Sequence, residues 1–109
     1  MIQTAGQDIL LRLGETIAAR KGADAAGSYV AGLLARGEDA ILRKVLEEAA
    51  ETLLASKEGD KLHLVRETAD LWFHTLVLLA WHGVGPAEVL AELQRRDGVS
   101  GVAEKASRK

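Results

Sequence analysis

The chain contains no cysteine, one proline and four aromatic residues. Lacking cysteine, it has no disulfide framework, no thiolate metal site and no thiol nucleophile. The low aromatic and β-branched content argues against a sheet protein, and the single proline, Pro86, leaves long stretches free of helix breakers. Positive charge is not in excess either: 14 Lys+Arg stand against 16 Asp+Glu, with an isoelectric point near 5.9. That balance gives no footprint for a nucleic-acid backbone, so no nucleic-acid partner is expected. The apolar run Leu71–Trp81 falls short of the roughly 20 residues a membrane-spanning helix needs, and the N-terminus lacks a basic-then-apolar leader pattern. A cytoplasmic protein with no membrane partner is the expectation.

What is abundant is Ala, Leu, Glu, Lys and Arg, the composition of an all-α protein. The 109 residues suffice for one domain, 1–109, with a core small enough to gain from oligomerisation. Ile9, Leu10, Leu13 and Ile17 predict a first helix over Gln7 to Arg20. Ser28 can cap a short second helix, Tyr29 to Ala35, and Asp39 a third running to about Lys57, ended by Gly59-Asp60. A fourth helix is predicted from about Lys61 to His82. A fifth begins at Pro86, where a first-turn proline is tolerated, and runs to about Arg96; residues 97–109 read as a polar tail. The architecture expected is a bundle of about five helices.

The stretch KVLEEAAETLL, Lys44 to Leu54, raises a chemical question. At about 100° per residue, Lys44, Glu47, Glu48 and Glu51 share one narrow arc, while Val45, Leu46, Ala49, Ala50, Leu53 and Leu54 are apolar around it. The next helix repeats the design: His63, Glu67, Asp70 and His74 lie on one strip of an otherwise apolar rod. Such a rod requires cover on several sides, which implies packing against a second copy of the chain. Two helices joined by the short Glu58-Gly59-Asp60 turn lie antiparallel and can face their acidic strips together. Carboxylates so crowded repel, and a bound divalent cation removes the repulsion. Oxygen-only ligands suit a hard ion such as Mg²⁺. Against this stands the ordinary reading of a charged strip as a solvated helix face.

The pattern Glu47-Glu48-Ala49-Ala50-Glu51, fifteen residues, then Glu67-Thr68-Ala69-Asp70, resembles the all-α nucleoside triphosphate pyrophosphohydrolases of the MazG-like superfamily. Within it, SYVAGLLARGEDAILRKVLEEAAET, ETADLWFHTLVLL and GVSGVAEKASR are similar to the phosphoribosyl-ATP pyrophosphohydrolase family, over about Ser28 to Arg108. The resemblance implies Mg²⁺-dependent hydrolysis of the α–β phosphoanhydride of phosphoribosyl-ATP, the second step of histidine biosynthesis, in a homodimer or tetramer. It implies metal binding by Glu48, Glu51, Glu67 and Asp70, with Glu47 as the adjoining acid. Glu47 or Glu48 is expected to hold or deprotonate the attacking water. Arg43 and Lys44 match the family's basic pair; Lys44 shares the acidic arc, whereas Arg43 points away from it. His74 matches a family histidine and is expected to orient a carboxylate. His63 and His82, near helix ends, are explained by capping or exposure, and Trp72, Phe73 and Trp81 by packing.

Two departures stand out. Leu46 occupies a position where relatives usually carry a small residue, and Ala23-Asp24-Ala25-Ala26-Gly27 lacks the proline often found before the Ser-Tyr pair. The carboxylates alone equally permit a housecleaning nucleotide pyrophosphohydrolase, and a non-catalytic helical dimerisation module is a third reading. A di-iron bundle would need paired Glu-x-x-His motifs, which the sequence lacks.

Overall fold

A computed structural model describes residues 5–108, and every regular element among them is helical. The described residues form six α-helices: α1 Ala5–Ala19, α2 Tyr29–Arg36, α3 Glu38–Glu58, α4 Lys61–Trp81, α5 Pro86–Arg96 and α6 Gly101–Ser107. A 3₁₀ turn, Ala25–Gly27, precedes α2. The sequence implied about five helices; the sixth lies in the segment read as a polar tail.

Local chemistry fixes most boundaries. Ser28 caps α2 by accepting from Ala31 N, and Asp60 caps α4 by accepting from His63 N. Asp39 does not cap α3. That helix starts two residues earlier than such a cap would give, after Gly37, whose φ of 99° ends α2 and leaves Glu38 and Asp39 as acidic first-turn residues. Gly59 closes α3 in the left-handed region at φ 80°, so the chain reverses within two residues. At the far end of α4 the Lys21 ammonium donates to the carbonyls of Ala80, which also accepts from Gly83 N, and Trp81, helping to cover the C-terminal carbonyls of the helix.

The long helices α3 and α4 pack along one another as an antiparallel hairpin, and α1 and α2 lie against it. The core joins Ile17 of α1, Leu33 and Leu34 of α2, Ile41 of α3, and Leu76, Val77 and Ala80 of α4. All of these lie toward one end of the hairpin. There Phe73 and Trp81 pack against the core as expected, but Trp72 is 58% exposed. Helix α5 returns across α1, where Gly14 lets Pro86 approach: a Cβ at Gly14 would meet Pro86 Cδ at 2.4 Å.

The C-terminal helix is held by charge. Ser100 caps it, and the buried Glu104 carboxylate accepts from Arg95 of α5 and from Arg108. Glu92 completes the network by binding Arg95 and Arg96, and those hydrogen bonds hold its carboxyl down to about 2. Among the described residues no single helix is long and apolar enough to cross a membrane.

Candidate functional site

The hairpin turn sets the register of α3 against α4, and that register brings the two acidic strips face to face. Glu48 of α3 and Glu67 and Asp70 of α4 each offer a carboxylate oxygen within 4.8 Å of the other two. Their exposure is graded: Glu48 is buried, Glu67 half-buried and Asp70 exposed. Glu51, one turn after Glu48, shares a side-chain hydrogen bond with Glu67. That bond, together with Glu67's negative charge, raises the Glu51 carboxyl above the usual range.

A buried carboxylate ordinarily fills its lone pairs, and these do not. Glu48 Oε1 and Glu67 Oε1 are both buried with no hydrogen-bond partner. An unfilled buried acceptor is costly, and two in one acidic cluster are the condition a hard cation relieves. The donor set is all oxygen and anionic, so it fits Mg²⁺ in type and charge.

The remaining oxygens are held by neighbours. Lys44 Nζ lies 3.5 Å from both Glu47 Oε1 and Glu48 Oε2. Partial desolvation pulls its pKa down, but Tyr29, Glu48 and Glu47 outweigh that and raise it, keeping the ammonium charged. Glu47, with half its side chain exposed, stands at the rim. Arg43 is exposed one residue before Lys44, a step of about 100° around the helix, and is not brought into the cluster's ion pairs.

The two histidines of α4 exchange the expected parts. His74 is buried, but its Nδ1 donates to the main-chain carbonyl of Asp70 at 2.8 Å and not to any carboxylate. In the neutral ring this leaves Nε2 as an acceptor for the Tyr29 hydroxyl, also at 2.8 Å. His63 is the histidine that reaches a carboxylate of the cluster: its Nε2 is 3.1 Å from Glu67 Oε2, and its Nδ1 is 2.8 Å from Glu58 Oε1. Those bonds, Glu58's first, raise the His63 pKa against a smaller loss from desolvation. The i,i+4 spacing of His63 and Glu67 was the available signal. His82, the third histidine, pairs with Glu38 away from the cluster.

An all-helical chain whose antiparallel hairpin buries Glu48 opposite Glu67 and Asp70, with Glu51 one turn along, belongs to a class: the all-α nucleotide pyrophosphohydrolases of MazG-like build. The family profile for phosphoribosyl-ATP pyrophosphohydrolase matches residues 10–97. A Chromobacterium violaceum protein named phosphoribosyl-ATP pyrophosphatase is 63% identical over 102 residues, 94% of each chain. Proteins of that name from Nitrosospira multiformis and Neisseria gonorrhoeae are 65% and 56% identical; each match spans 94% of this chain, and 84% and 96% of theirs. The chain belongs to the phosphoribosyl-ATP pyrophosphohydrolase family.

Proposed function

We propose the following reading of the site. The chain hydrolyses phosphoribosyl-ATP at its α–β phosphoanhydride, giving phosphoribosyl-AMP and pyrophosphate, as the second step of histidine biosynthesis in the cytoplasm. Glu48, Glu51, Glu67 and Asp70 hold Mg²⁺. When bound, the ion neutralises the polyphosphate and polarises the bond to be cut. The observation that supports this is that Glu48 and Glu67, whose carboxylates come together with Asp70 across the hairpin, each keep one buried oxygen, Oε1, without a hydrogen-bond partner.

The other residues act around that centre. His63 fixes Glu67 through Oε2 and leaves Oε1 for the ion. Glu47, at the rim and within reach of solvent, orients the attacking water and takes its proton; Glu48 is the other residue able to do so. Lys44 lies between those two acids and meets a phosphate oxygen from the same side, while Arg43 lends only longer-range charge. His74, bound to the Asp70 carbonyl, stiffens the turn that carries the Asp70 carboxylate.

The working unit is a homo-oligomer, a dimer or tetramer. Leu42, Leu46 and Leu53 on α3, and Leu62, Val65 and Trp72 on α4, recur at helical spacing and are 44–71% exposed. Apolar stripes on both helices of one hairpin suit a second hairpin of the same kind. In this setting Leu46, bulky where relatives are usually small, contributes to subunit contact. Pyrophosphate release from phosphoribosyl-ATP, ATP and dUTP, each with and without Mg²⁺, tests the reading. Mg²⁺-dependent release from the first substrate alone is expected; release from dUTP in preference refutes it, and silence on all three leaves a non-catalytic module.

A further inference from the structure

An open concavity of about 470 Å³ lies along the 3₁₀ turn and α2, joined to the carboxylate-bearing α4 through Tyr29. Its floor is the 3₁₀ turn Ala25–Gly27 with Ser28 and Gly32, and its walls are Tyr29 and Arg36. Gly32 keeps the floor close, since a Cβ there would stand 3.3 Å from the Ala25 carbonyl oxygen. Tyr29 belongs to both places. Its hydroxyl is tied to His74, one turn beyond Asp70, and its ring stands edge-on to the imidazole at 89° with 5.8 Å between centroids. Lys44, the cation of the cluster, lies within electrostatic range of the same phenol.

Two features of this arrangement point to a ligand. Tyr29 is 55% exposed although both its tip and its edge are fixed, so a flat aromatic face is presented with its conformational freedom already lost. Arg36, two helical turns along, is an exposed cation on the same concavity, and no hydrogen bond or ion pair engages its side chain among the described residues. Read outward from the carboxylates, the surface offers an anionic cluster for metal and polyphosphate, then an aromatic face, then a guanidinium. The substrate named under Proposed function has matching parts in matching order: a triphosphate, a purine at its centre, and a ribose that ends in a second phosphate.

We propose that this concavity binds the far half of the substrate, with the purine stacked on Tyr29 and the ribosyl 5′-phosphate held by Arg36, so that these two residues select a doubly phosphorylated nucleotide over ATP. The inference rests on the substrate assigned above. Base–aromatic stacking tolerates any purine, whereas a guanidinium pairing with a terminal phosphate rewards only a ligand that has one. Arg36 therefore supplies discrimination and Tyr29 supplies grip.

The test compares the wild type with Arg36→Gln, Tyr29→Leu and Tyr29→Phe in the full-length chain. With phosphoribosyl-ATP as substrate, Arg36→Gln is expected to raise KM about tenfold with kcat little changed, and to leave inhibition by AMP, which has no second phosphate, unaffected. Tyr29→Leu is expected to raise KM about tenfold and to weaken AMP inhibition alike, while Tyr29→Phe, which keeps the ring, retains most of the affinity. The rise in Tm on adding Mg²⁺ should persist in all three. An unchanged KM in Arg36→Gln and Tyr29→Leu overturns the proposal. So does a Tyr29→Leu enzyme that loses kcat and the Mg²⁺ response together, because Tyr29 would then merely prop His74. Calorimetric binding of phosphoribosyl-AMP separates this idea from the assigned reaction: a wild type that binds it tightly, loses it about tenfold in Arg36→Gln, and still turns nothing over sinks the reaction and spares the subsite.

Discussion

Glu48→Gln should make the metal-free protein more stable and the enzyme inactive. In the wild type the Glu48 carboxylate is 6% exposed and lies within 4.8 Å of an oxygen of Glu67 and one of Asp70. Two unit charges at that distance repel by about 3.5 kcal/mol at an effective dielectric of about 20, and by about 1.7 kcal/mol at twice that value. The Asp70 pair, being exposed, belongs at or below the lower figure. Against this, the substitution gives up the partly exposed Lys44–Glu48 pair, of about 1 kcal/mol at most. The new amide can also donate a hydrogen bond toward the partnerless Glu67 Oε1. The net gain is about 1–2 kcal/mol, which in a domain of this size raises Tm by roughly 5–10 °C.

Addition of Mg²⁺ should reverse the ranking. A ligand at a hundred times its Kd stabilises the folded state by about 2.7 kcal/mol, so the wild type climbs with Mg²⁺ while Glu48→Gln stays level. Turnover of phosphoribosyl-ATP should fall by about a hundredfold or more. Differential scanning calorimetry across a Mg²⁺ series, paired with pyrophosphate release, reads all three quantities. A variant less stable than wild type without metal, equally responsive to Mg²⁺, or near-normal in turnover refutes the reasoning.

Three other outcomes follow from separate parts of the molecule. His63→Ala should weaken Mg²⁺ binding by about 10–100-fold, seen in the Mg²⁺ dependence of Tm, with partial recovery in His63→Gln; an unchanged midpoint rules out a role for the His63–Glu67 bond. Gly14→Ala should destabilise by about 1–3 kcal/mol in chemical denaturation, since its Cβ would overlap Pro86 Cδ and Cγ; a neutral result means that α5 shifts freely on α1. Acid should release α6 before the core. The Glu92 pKa is lowered from 4.5 to about 2, so its contribution is complete above pH 4.5 and lost as pH falls through about 2. Hydrogen exchange at residues 101–107 should accelerate across that window and lose much of this pH dependence in Glu92→Gln; exchange that tracks global unfolding instead argues against the network.

The helices were legible because their signals are local. Ser28, Gly59, Asp60 and Pro86 each act on the backbone within one turn, and each stands where its chemistry places it. The alignment of Glu48 with Glu67 and Asp70 was also legible, because a two-residue reversal leaves little freedom in how two long rods meet. Asp39 misled because two residue types suited to capping compete here, and the left-handed Gly37 set the boundary first. Helix α6 escaped notice because its anchor is not periodic: Glu104 is buried by arginines from the preceding helix and from its own end. The histidines could not be sorted by spacing, since His63 lies four residues before Glu67 and His74 four after Asp70. Side-chain direction separates them. Helical side chains lean toward the N-terminus, so His74 falls back onto the carbonyl of Asp70, while Glu67 leans back toward His63.

That lean, repeated along α3 and α4, also gives the cluster a direction. Antiparallel rods tilt their side chains opposite ways across the seam, and the carboxylates are graded from Glu48 at the bottom, through Glu67, to Asp70 at the surface. Were a divalent cation held by this set, Glu48 and Glu67 would be its buried donors and Asp70 its exposed one, and the ion would supply charge to neutralise a polyphosphate. His74 and Tyr29 continue from Asp70, and Lys44 links back to Glu48 and Glu47, so the acids are bordered by an aromatic ring and a cation. Burying Glu48 with its Oε1 unpartnered costs the fold free energy in the absence of a cation, as the unpartnered Glu104 Oε1 does beside α6. A surface ring of four equally exposed acids would hold the ion with less strain, but it would not dictate the face from which the polyphosphate must approach.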